Sequence, residues 1–164
     1  MRVIQAEKLT NEAYAPFGTF YDYANPTGYS LNGALHRFFP DRMSEAYPQT
    51  RAAFSPILVK KPERMIIDSV EYHLTTPEII LPLNDDMIIH VAPASAGALV
   101  PELTRAFVVP QYTMVKINTA VWHLAPLPVH ADELQAMIIL PETTYMRDCT
   151  VEEIPEEDQF EIIL

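Results

Sequence analysis

Two short apolar segments meet at a polar corner in Glu78-Ile79-Ile80-Leu81-Pro82-Leu83-Asn84-Asp85-Asp86-Met87-Ile88-Ile89-His90-Val91. Both segments are rich in isoleucine, leucine and methionine, and the corner between them holds one asparagine and two aspartates. Short apolar runs that are bounded by Pro, Asn or Asp are typical of β-strands joined by a turn. The stretch therefore predicts two consecutive strands.

Similar runs recur on both sides of this stretch and extend the β pattern along the chain. They lie at residues 57–59, 65–67, 70–73, 106–109, 114–118 and 137–140. The chain also has 15 prolines but only 4 glycines. Because each proline removes a backbone donor and clashes with the preceding helical turn, this content argues against a helical bundle. Regularly spaced short strands predict an all-β sandwich or barrel.

Helical patterns are confined to the first third of the chain. Thr10 or Asn11 is a candidate cap for a short helix that ends before Pro16. Residues 41–47 (DRMSEAY) form a second candidate, stopped by Pro48. The sequence thus predicts one or two short N-terminal helices beside the strands.

Length and charge limit the organisation and the partners. A chain of 164 residues predicts a single domain over residues 1–164. Eleven basic and 22 acidic residues give a net charge of −11, which disfavours nucleic-acid binding. The one cysteine, Cys149, cannot form an intrachain disulfide, which fits a reducing compartment. With neither a secretory pattern at the N-terminus nor an apolar stretch long enough for a membrane span, we expect a cytoplasmic protein without a membrane partner.

Glutamate and histidine side chains form a candidate metal site. Glu71 and His73 lie two apart, so they share one face of a strand. The break Thr75-Thr76-Pro77 is expected to fold the next strand back beside the first, so that Glu78 faces both. His123, from a distant strand, is the candidate fourth ligand. Imidazole and carboxylate donors of this kind suit Zn, Mn, Fe or Ni.

The apolar surroundings of Glu78 and His123 favour the site over a solvated strand face. Glu78 opens an uncharged apolar run, and His123 follows Ala120-Val121-Trp122. A carboxylate held among apolar neighbours needs a partner, since burying it alone is costly. Surface carboxylates and packed histidines remain the alternative interpretation of the same residues.

The spacing of these residues resembles the two cupin motifs. Glu71-x-His73-x4-Glu78, followed by the corner at Asp85, is similar to the first motif, with Glu71 in place of its first histidine and Asp85 in place of its glycine. The segment Asn118-Thr119-Ala120-Val121-Trp122-His123 is similar to the second, P-x-G-x2-H. In it, Asn118 and Ala120 replace the proline and the glycine.

More specifically, the chain resembles the ureidoglycolate lyase family, once called ureidoglycolate hydrolases. The matching stretches follow in family order along nearly the whole chain. They are residues 9–18 (LTNEAYAPFG), Asn32-Gly33 with Arg37, Glu71-Tyr72-His73, residues 103–108 (LTRAFV), Val121-Trp122-His123 and residues 148–156 (DCTVEEIPE). The resemblance implies a cupin-type β-barrel, or jelly roll, in a homodimer. It also implies cleavage of ureidoglycolate, a small anionic substrate, to glyoxylate and urea in purine (allantoin) catabolism.

The same resemblance gives each candidate residue a role. A divalent metal (Zn, Mn, Ni or Fe) is expected on Glu71, His73, Glu78 and His123. Catalytic roles are expected for Glu71, His73, His123 and Lys116. Substrate binding is expected for Asn32, Arg37, Arg105 and Trp122.

The chain departs from the family pattern around this site. The family usually has glutamine at Glu78, a second histidine at Leu124 and basic residues at Asn118 and Thr119. Two alternatives to the lyase therefore stay open. They are a non-catalytic cupin that binds a small molecule, and a different metal-dependent cupin enzyme such as an isomerase or a dioxygenase.

Overall fold

A computed structural model describes residues 1–48 and 50–164, and strands dominate this part of the chain. Its short helices are α1 (Asn11–Tyr14), α2 (Thr144–Arg147) and one 3-10 turn (Pro101–Leu103). The strands are β1 (Arg2–Gln5), β2 (Glu7–Lys8), β3 (Gly18–Asp22), β4 (Leu31–Asn32), β5 (Arg37–Phe38), β6 (Ala52–Lys60), β7 (Met65–Ile67), β8 (Ser69–Tyr72), β9 (Glu78–Pro82), β10 (Met87–Val91), β11 (Arg105–Val109), β12 (Thr113–Ile117), β13 (Leu127–Pro128), β14 (Glu133–Pro141), β15 (Thr150–Glu153) and β16 (Phe160–Ile163).

Two facing sheets enclose the main hydrophobic core. One has five antiparallel strands in the order β3-β12-β9-β14-β6, and the other has four in the order β13-β10-β11-β2. Alternate residues of each strand point inward, so Ile80 of β9, Val115 of β12 and Ile138 of β14 meet Ile89 of β10. This arrangement is the cupin-type two-sheet barrel, and the all-β prediction is confirmed.

Residues 87–91 do not alternate between apolar and polar side chains, and the surroundings of β10 explain why. Every residue of β10 is buried, because a second core covers the outer face of the four-stranded sheet. That core is built by β8 and by the three-stranded sheet β1-β16-β7. A strand buried on both faces is expected to be apolar throughout. His90 is the exception on this strand, and it lies buried on the second-core side.

One of the two predicted N-terminal helices is present. Thr10 caps α1 by accepting a hydrogen bond from the backbone of Ala13 at 3.2 Å, as its side chain predicted. The helix predicted at residues 41–47 is wrong, because that segment consists of turns, bends and irregular backbone. Asp41 has a φ of 57°, which is incompatible with a right-handed helix, and Arg42 binds the carbonyl oxygen of Pro40 at 2.7 Å.

The expected hairpin between β8 and β9 is also wrong. Strand β8 pairs with β15, whereas β9 pairs with β12 and β14, so the two belong to different sheets. The carboxylate of Asp148 accepts hydrogen bonds from the backbone of Leu74 and Thr75, each at 2.8 Å. The bend after His73 is therefore held by a side chain, and it carries the chain from one layer to the next. None of the helices in the two described ranges is long and apolar enough to cross a membrane.

Candidate metal centre

Backbone pairing brings two distant segments together at one end of the barrel. Glu71 of β8 and His123 form a two-way bridge, with N···O distances of 2.6 and 2.9 Å. The backbone of Ala120 also donates to the carbonyl oxygen of His73, at 2.7 Å. These bonds fix the segment before His123 against the end of β8. Glu78 reaches the same place from the start of β9.

The structure brings all four predicted ligands into one cluster. One donor atom from each of Glu71, His73, Glu78 and His123 lies within 4.8 Å of the other three. Nε2 of His73 lies 3.1 Å from Oε2 of Glu78, and Nε2 of His123 lies 3.5 Å from the same oxygen. Glu71 is the most open member, with 12% of its side chain exposed, and its Oε1 lies 4.0 Å from Nε2 of His123.

The second nitrogen of each imidazole fixes which atom faces the cluster. Nδ1 of His73 contacts the carbonyl oxygen of Asp148 at 2.7 Å, and Nδ1 of His123 contacts that of Val121 at 2.8 Å. A carbonyl oxygen only accepts, so both Nδ1 atoms carry hydrogen and a neutral ring turns its Nε2 lone pair inward. Lone pairs and carboxylate oxygens that face each other repel unless a proton or a metal ion lies between them. This donor set fits a divalent metal ion.

The pKa values of the buried groups reflect the same charge balance. Burial by itself raises the pKa of Glu78, but the imidazoles of His123 and His73 lower it to about 2. Burial by itself lowers the pKa of His123, yet hydrogen bonding to Glu78 and the charges of Glu78 and Glu71 raise it. A proton therefore occupies the cluster readily, and a metal ion that binds there would displace it.

Three further residues border the cluster, and the sequence assigned none of them a role there. The thiol of Cys149 donates to Oε2 of Glu71 at 3.2 Å, and burial with the charge of Glu71 raises the pKa of this thiol to about 12. The ring of Tyr145 lies 6.0 Å from the ring of His73. Asp148 holds His73 through its backbone. Asp148 and Cys149 stand in a stretch that carried the family resemblance, which is the signal that could have found them.

The other predicted site residues lie outside the cluster. Lys116 pairs with Ile79 in the sheet, while its neighbour Ile117 pairs with Glu78. Since successive residues of a strand face opposite ways, Lys116 points away from the cluster side. Its Nζ binds Oε2 of Glu45 at 3.1 Å.

The four predicted substrate residues are engaged elsewhere. Arg105 forms a bidentate pair with Glu7, with N···O distances of 2.9 and 2.6 Å. Asn32 and Arg37 face each other in the exposed β4–β5 hairpin. Trp122 is buried and donates to Oγ of Ser95 at 2.8 Å. The structure does not gather these side chains around the cluster.

An open cavity of about 700 Å³ is lined by neighbours of the cluster residues, although none of the four cluster side chains is in its wall. Thr76 and Pro77, which immediately precede Glu78, form part of its wall, and so does Asp148, which holds His73. Thr119, Tyr47 and Arg147 contribute other parts of the lining. This volume lies in the range of small-molecule sites in proteins.

Distant similarities exist to two solved cupin-type enzymes. A structure of Bacillus subtilis oxalate decarboxylase matches with a TM-score of 0.44 and 16% identity over 66% of this chain and 27% of that one. A dTDP sugar isomerase from Desulfovibrio desulfuricans G20 matches with a TM-score of 0.46 and 9% identity over 87% of both chains.

Sequence comparisons give closer relatives. A ureidoglycolate lyase of Pseudomonas savastanoi pv. phaseolicola is 33% identical over 129 residues, which cover 75% of this chain and 74% of that protein. The ureidoglycolate lyase of Pseudomonas aeruginosa (strain LESB58) is 30% identical over 126 residues, which cover 75% of both proteins. The family model "Ureidoglycolate lyase" matches residues 1–162. The chain therefore belongs to the ureidoglycolate lyase family.

Proposed function

We propose that this protein is a metal-dependent lyase that cleaves ureidoglycolate, or a closely related ureido hydroxy acid, to glyoxylate and urea. The observation that carries the proposal is the convergence of Glu71, His73, Glu78 and His123 at one end of the barrel. Membership of the family supplies the substrate class, and the four side chains supply the chemistry.

The reaction requires two proton movements around one bond. The substrate hydroxyl loses its proton as the carbon–nitrogen bond breaks, and the departing urea nitrogen gains one. A divalent ion on the four ligands would supply a Lewis acid for the carboxylate and hydroxyl oxygens of the substrate. Glu71 is the proposed proton acceptor, because it is the most open carboxylate of the cluster and a thiol is its side-chain hydrogen-bond donor.

The orientation of the imidazoles assigns their part in this chemistry. His73 and His123 donate their Nδ1 hydrogens to backbone carbonyls and direct Nε2 at the cluster, where it would bind the ion. Glu78 lies between them and is fully ionised at neutral pH. Lys116 is left out of the proposed chemistry because it leaves its strand on the face opposite Glu78 and its ammonium is paired with Glu45.

The test is turnover of ureidoglycolate by protein supplied separately with Mn, Zn, Ni or Fe. We expect metal-dependent release of urea, loss of at least about 100-fold in kcat/KM for His123→Gln, and unchanged activity for the distant control His36→Gln. Thermal stabilisation by small acids without product would instead indicate a binding protein. Bound iron with oxygen uptake would indicate a dioxygenase. Absence of both turnover and bound metal would overturn the proposal.

We further propose that the protein is a homodimer. The outer face of the five-stranded sheet exposes Phe54 and Leu58 on its edge strand β6, and the β4–β5 hairpin exposes Leu35 and Phe38. A second copy of the chain would cover this apolar surface. Light scattering is expected to give twice the chain mass of 18.6 kDa, and Phe54→Lys with Leu58→Lys should give the monomer mass. A monomeric wild-type protein would contradict this assembly.

The proposed reaction belongs to purine (allantoin) breakdown, and the expected location is the cytoplasm. Cell fractionation of the native host, with this protein detected by antibody, tests the location. Recovery with membranes or in the culture medium would contradict it.

A further inference from the structure

The 700 Å³ cavity has one basic residue, Arg147, among the described residues that line it. Arg147 is the last residue of α2 and lines this cavity, whereas the predicted Arg37 and Arg105 do not. Residues 148 and 149 come directly after it, and both contact members of the cluster. The backbone of Arg147 therefore lies one and two residues from groups that contact the proposed metal ligands.

Three carboxylates line this cavity, those of Glu45, Glu142 and Asp148, and two of them have partners. Glu45 is paired with Lys116 at 3.1 Å, and Asp148 accepts hydrogen bonds from Leu74 and from Thr75. Arg147 is exposed, and within residues 1–48 and 50–164 no ion pair occupies its guanidinium. An arginine in this state presents a planar fork of donors that matches a carboxylate.

A second polar group in the same cavity lacks a partner. The hydroxyl oxygen of Tyr47 is buried and makes no hydrogen bond to any residue that the structure describes. Buried hydroxyls are normally satisfied, and one that lines a cavity is suited to receive a ligand group. Thr75 and Thr119 add further hydroxyl groups to the lining.

We propose that Arg147 is the carboxylate anchor of this cavity and that the Tyr47 hydroxyl binds the other polar end of the ligand. The ligand class is a small carboxylic acid with an amide or ureido group. Arg147 and Tyr47 line the same cavity as Thr76 and Pro77, the two residues before Glu78. The identity of the reacting substrate rests on the proposed lyase function, but the anion site itself does not.

Arg147 is the basic side chain that the described residues supply to the lining of this cavity. Lys116 is unsuited to the same role, because its ammonium is already paired with Glu45.

The test is calorimetric titration of metal-free protein with hydantoate, which has the carboxylate and ureido groups of ureidoglycolate but no reactive hydroxyl. Wild-type protein should bind hydantoate. Arg147→Ala should raise the Kd by about 10- to 100-fold, as expected for loss of a charged hydrogen bond. Arg147→Lys should lie between the two, and Tyr47→Phe should raise the Kd several-fold.

A matched control removes the same charge elsewhere. Arg64→Ala breaks a surface pair with Glu161, away from the cavity lining, and should leave the Kd within about twofold of wild type. The neutral amide of hydantoate should bind more weakly than hydantoate and should not distinguish Arg147→Ala from wild type. Unfolding curves of every variant check that the fold is retained.

The outcomes separate this inference from the proposed function. No binding of hydantoate by the wild type, or an equal Kd for Arg147→Ala, overturns the anchor. With metal and ureidoglycolate, Arg147→Ala should raise KM more than it lowers kcat. If Arg147→Ala turns over ureidoglycolate with an unchanged KM, the anchor is overturned and the lyase function stands. If the wild type binds hydantoate but shows no turnover of ureidoglycolate, the lyase function is overturned and the anchor stands.

Discussion

At the scale of single residues, His90 is a buried imidazole whose two ring nitrogens have no hydrogen-bond partner among the described residues. Burial, and secondarily the charge of His123, lowers its pKa from 6.5 to about 3. An unfolded chain takes up a proton at this residue below pH 6.5 while the folded protein does not. Above pH 6.5, His90 therefore does not contribute to the pH dependence of the free energy of unfolding. Below that pH it lowers this free energy progressively as the pH falls toward 3.

We expect His90→Leu to flatten the acid side of the stability profile. Between about pH 6 and pH 5, the wild-type residue should account for a loss of about 1 kcal/mol in the free energy of unfolding, and the leucine variant should lack this loss. Urea unfolding at the two pH values measures it. The exposed His36→Gln serves as control, and an unchanged slope in His90→Leu would contradict the assignment.

Cys149 is expected to position Glu71 for metal binding. Its thiol donates to one carboxylate oxygen, which leaves the other oxygen toward His123. Cys149→Ala should lower the affinity for the metal ion by about 10- to 100-fold, as is usual when the hydrogen-bond partner of a metal ligand is removed. Cys149→Ser should retain most of the affinity. Competition with a coloured chelator measures both. Equal affinities in wild type and the alanine variant would show that the thiol plays no such part.

At the scale of elements, the turn before His123 contains a strained residue. Ala120 has a φ of 63°, a left-handed conformation that costs a non-glycine residue roughly 1–2 kcal/mol. This residue stands where the second cupin motif has glycine. Ala120→Gly should therefore raise the free energy of unfolding by about 1 kcal/mol after the entropy of the unfolded glycine is subtracted. Urea denaturation measures the change, and a destabilised variant would contradict the strain.

Elements with a strong local signal were predictable from sequence. The apolar run of β10 and the cap at Thr10 depend on neighbouring residues alone, and both predictions are confirmed. The segment at residues 41–47 had helix-forming residues, but so short a helix is marginal without packing, and Glu45 pairs with the distant Lys116. The hairpin after His73 failed for the same reason, since Asp148 holds the bend from 73 or more residues away.

The candidate site also combines residues that the sequence indicated with residues that only the tertiary structure brings in. Motif spacing indicated which glutamates and histidines meet, although the hairpin expected to bring them together is not the one that forms. The cavity wall came from α2 and from Tyr47, whose proximity depends on tertiary packing that no spacing encodes. Arg147 thus had no signal in the sequence, while Arg105 stood in a matching stretch and proved to bind Glu7.

At the scale of the whole molecule, the cluster joins β8 and β9, which belong to separate sheets. A bound ion should therefore stabilise the fold as a whole. At a free concentration of 100 times Kd, binding adds about 2.7 kcal/mol, or roughly 5–10 °C in Tm for a chain of this size. Scanning calorimetry before and after chelation measures this shift. Glu78→Ala should abolish it, and an equal shift in that variant would place the ion elsewhere.

The same experiment tests the prediction of one domain over residues 1–164. Two cores share β10 and β11, since alternate residues of these strands enter each core. We expect one cooperative transition with equal calorimetric and van't Hoff enthalpies. Two resolved transitions would divide the chain into independent units.

The pairing of β1 with β16 has a mechanical consequence. These strands run parallel, with Arg2 beside Phe160 and Gln5 beside Ile163. A force that pulls residues 1 and 164 apart acts along both strands in opposite directions, so it shears the hydrogen bonds between them together and cannot peel them open one at a time. In an atomic-force or optical-trap experiment, the molecule should rupture at a higher force when stretched by these two points than when a handle is placed in the β4–β5 hairpin.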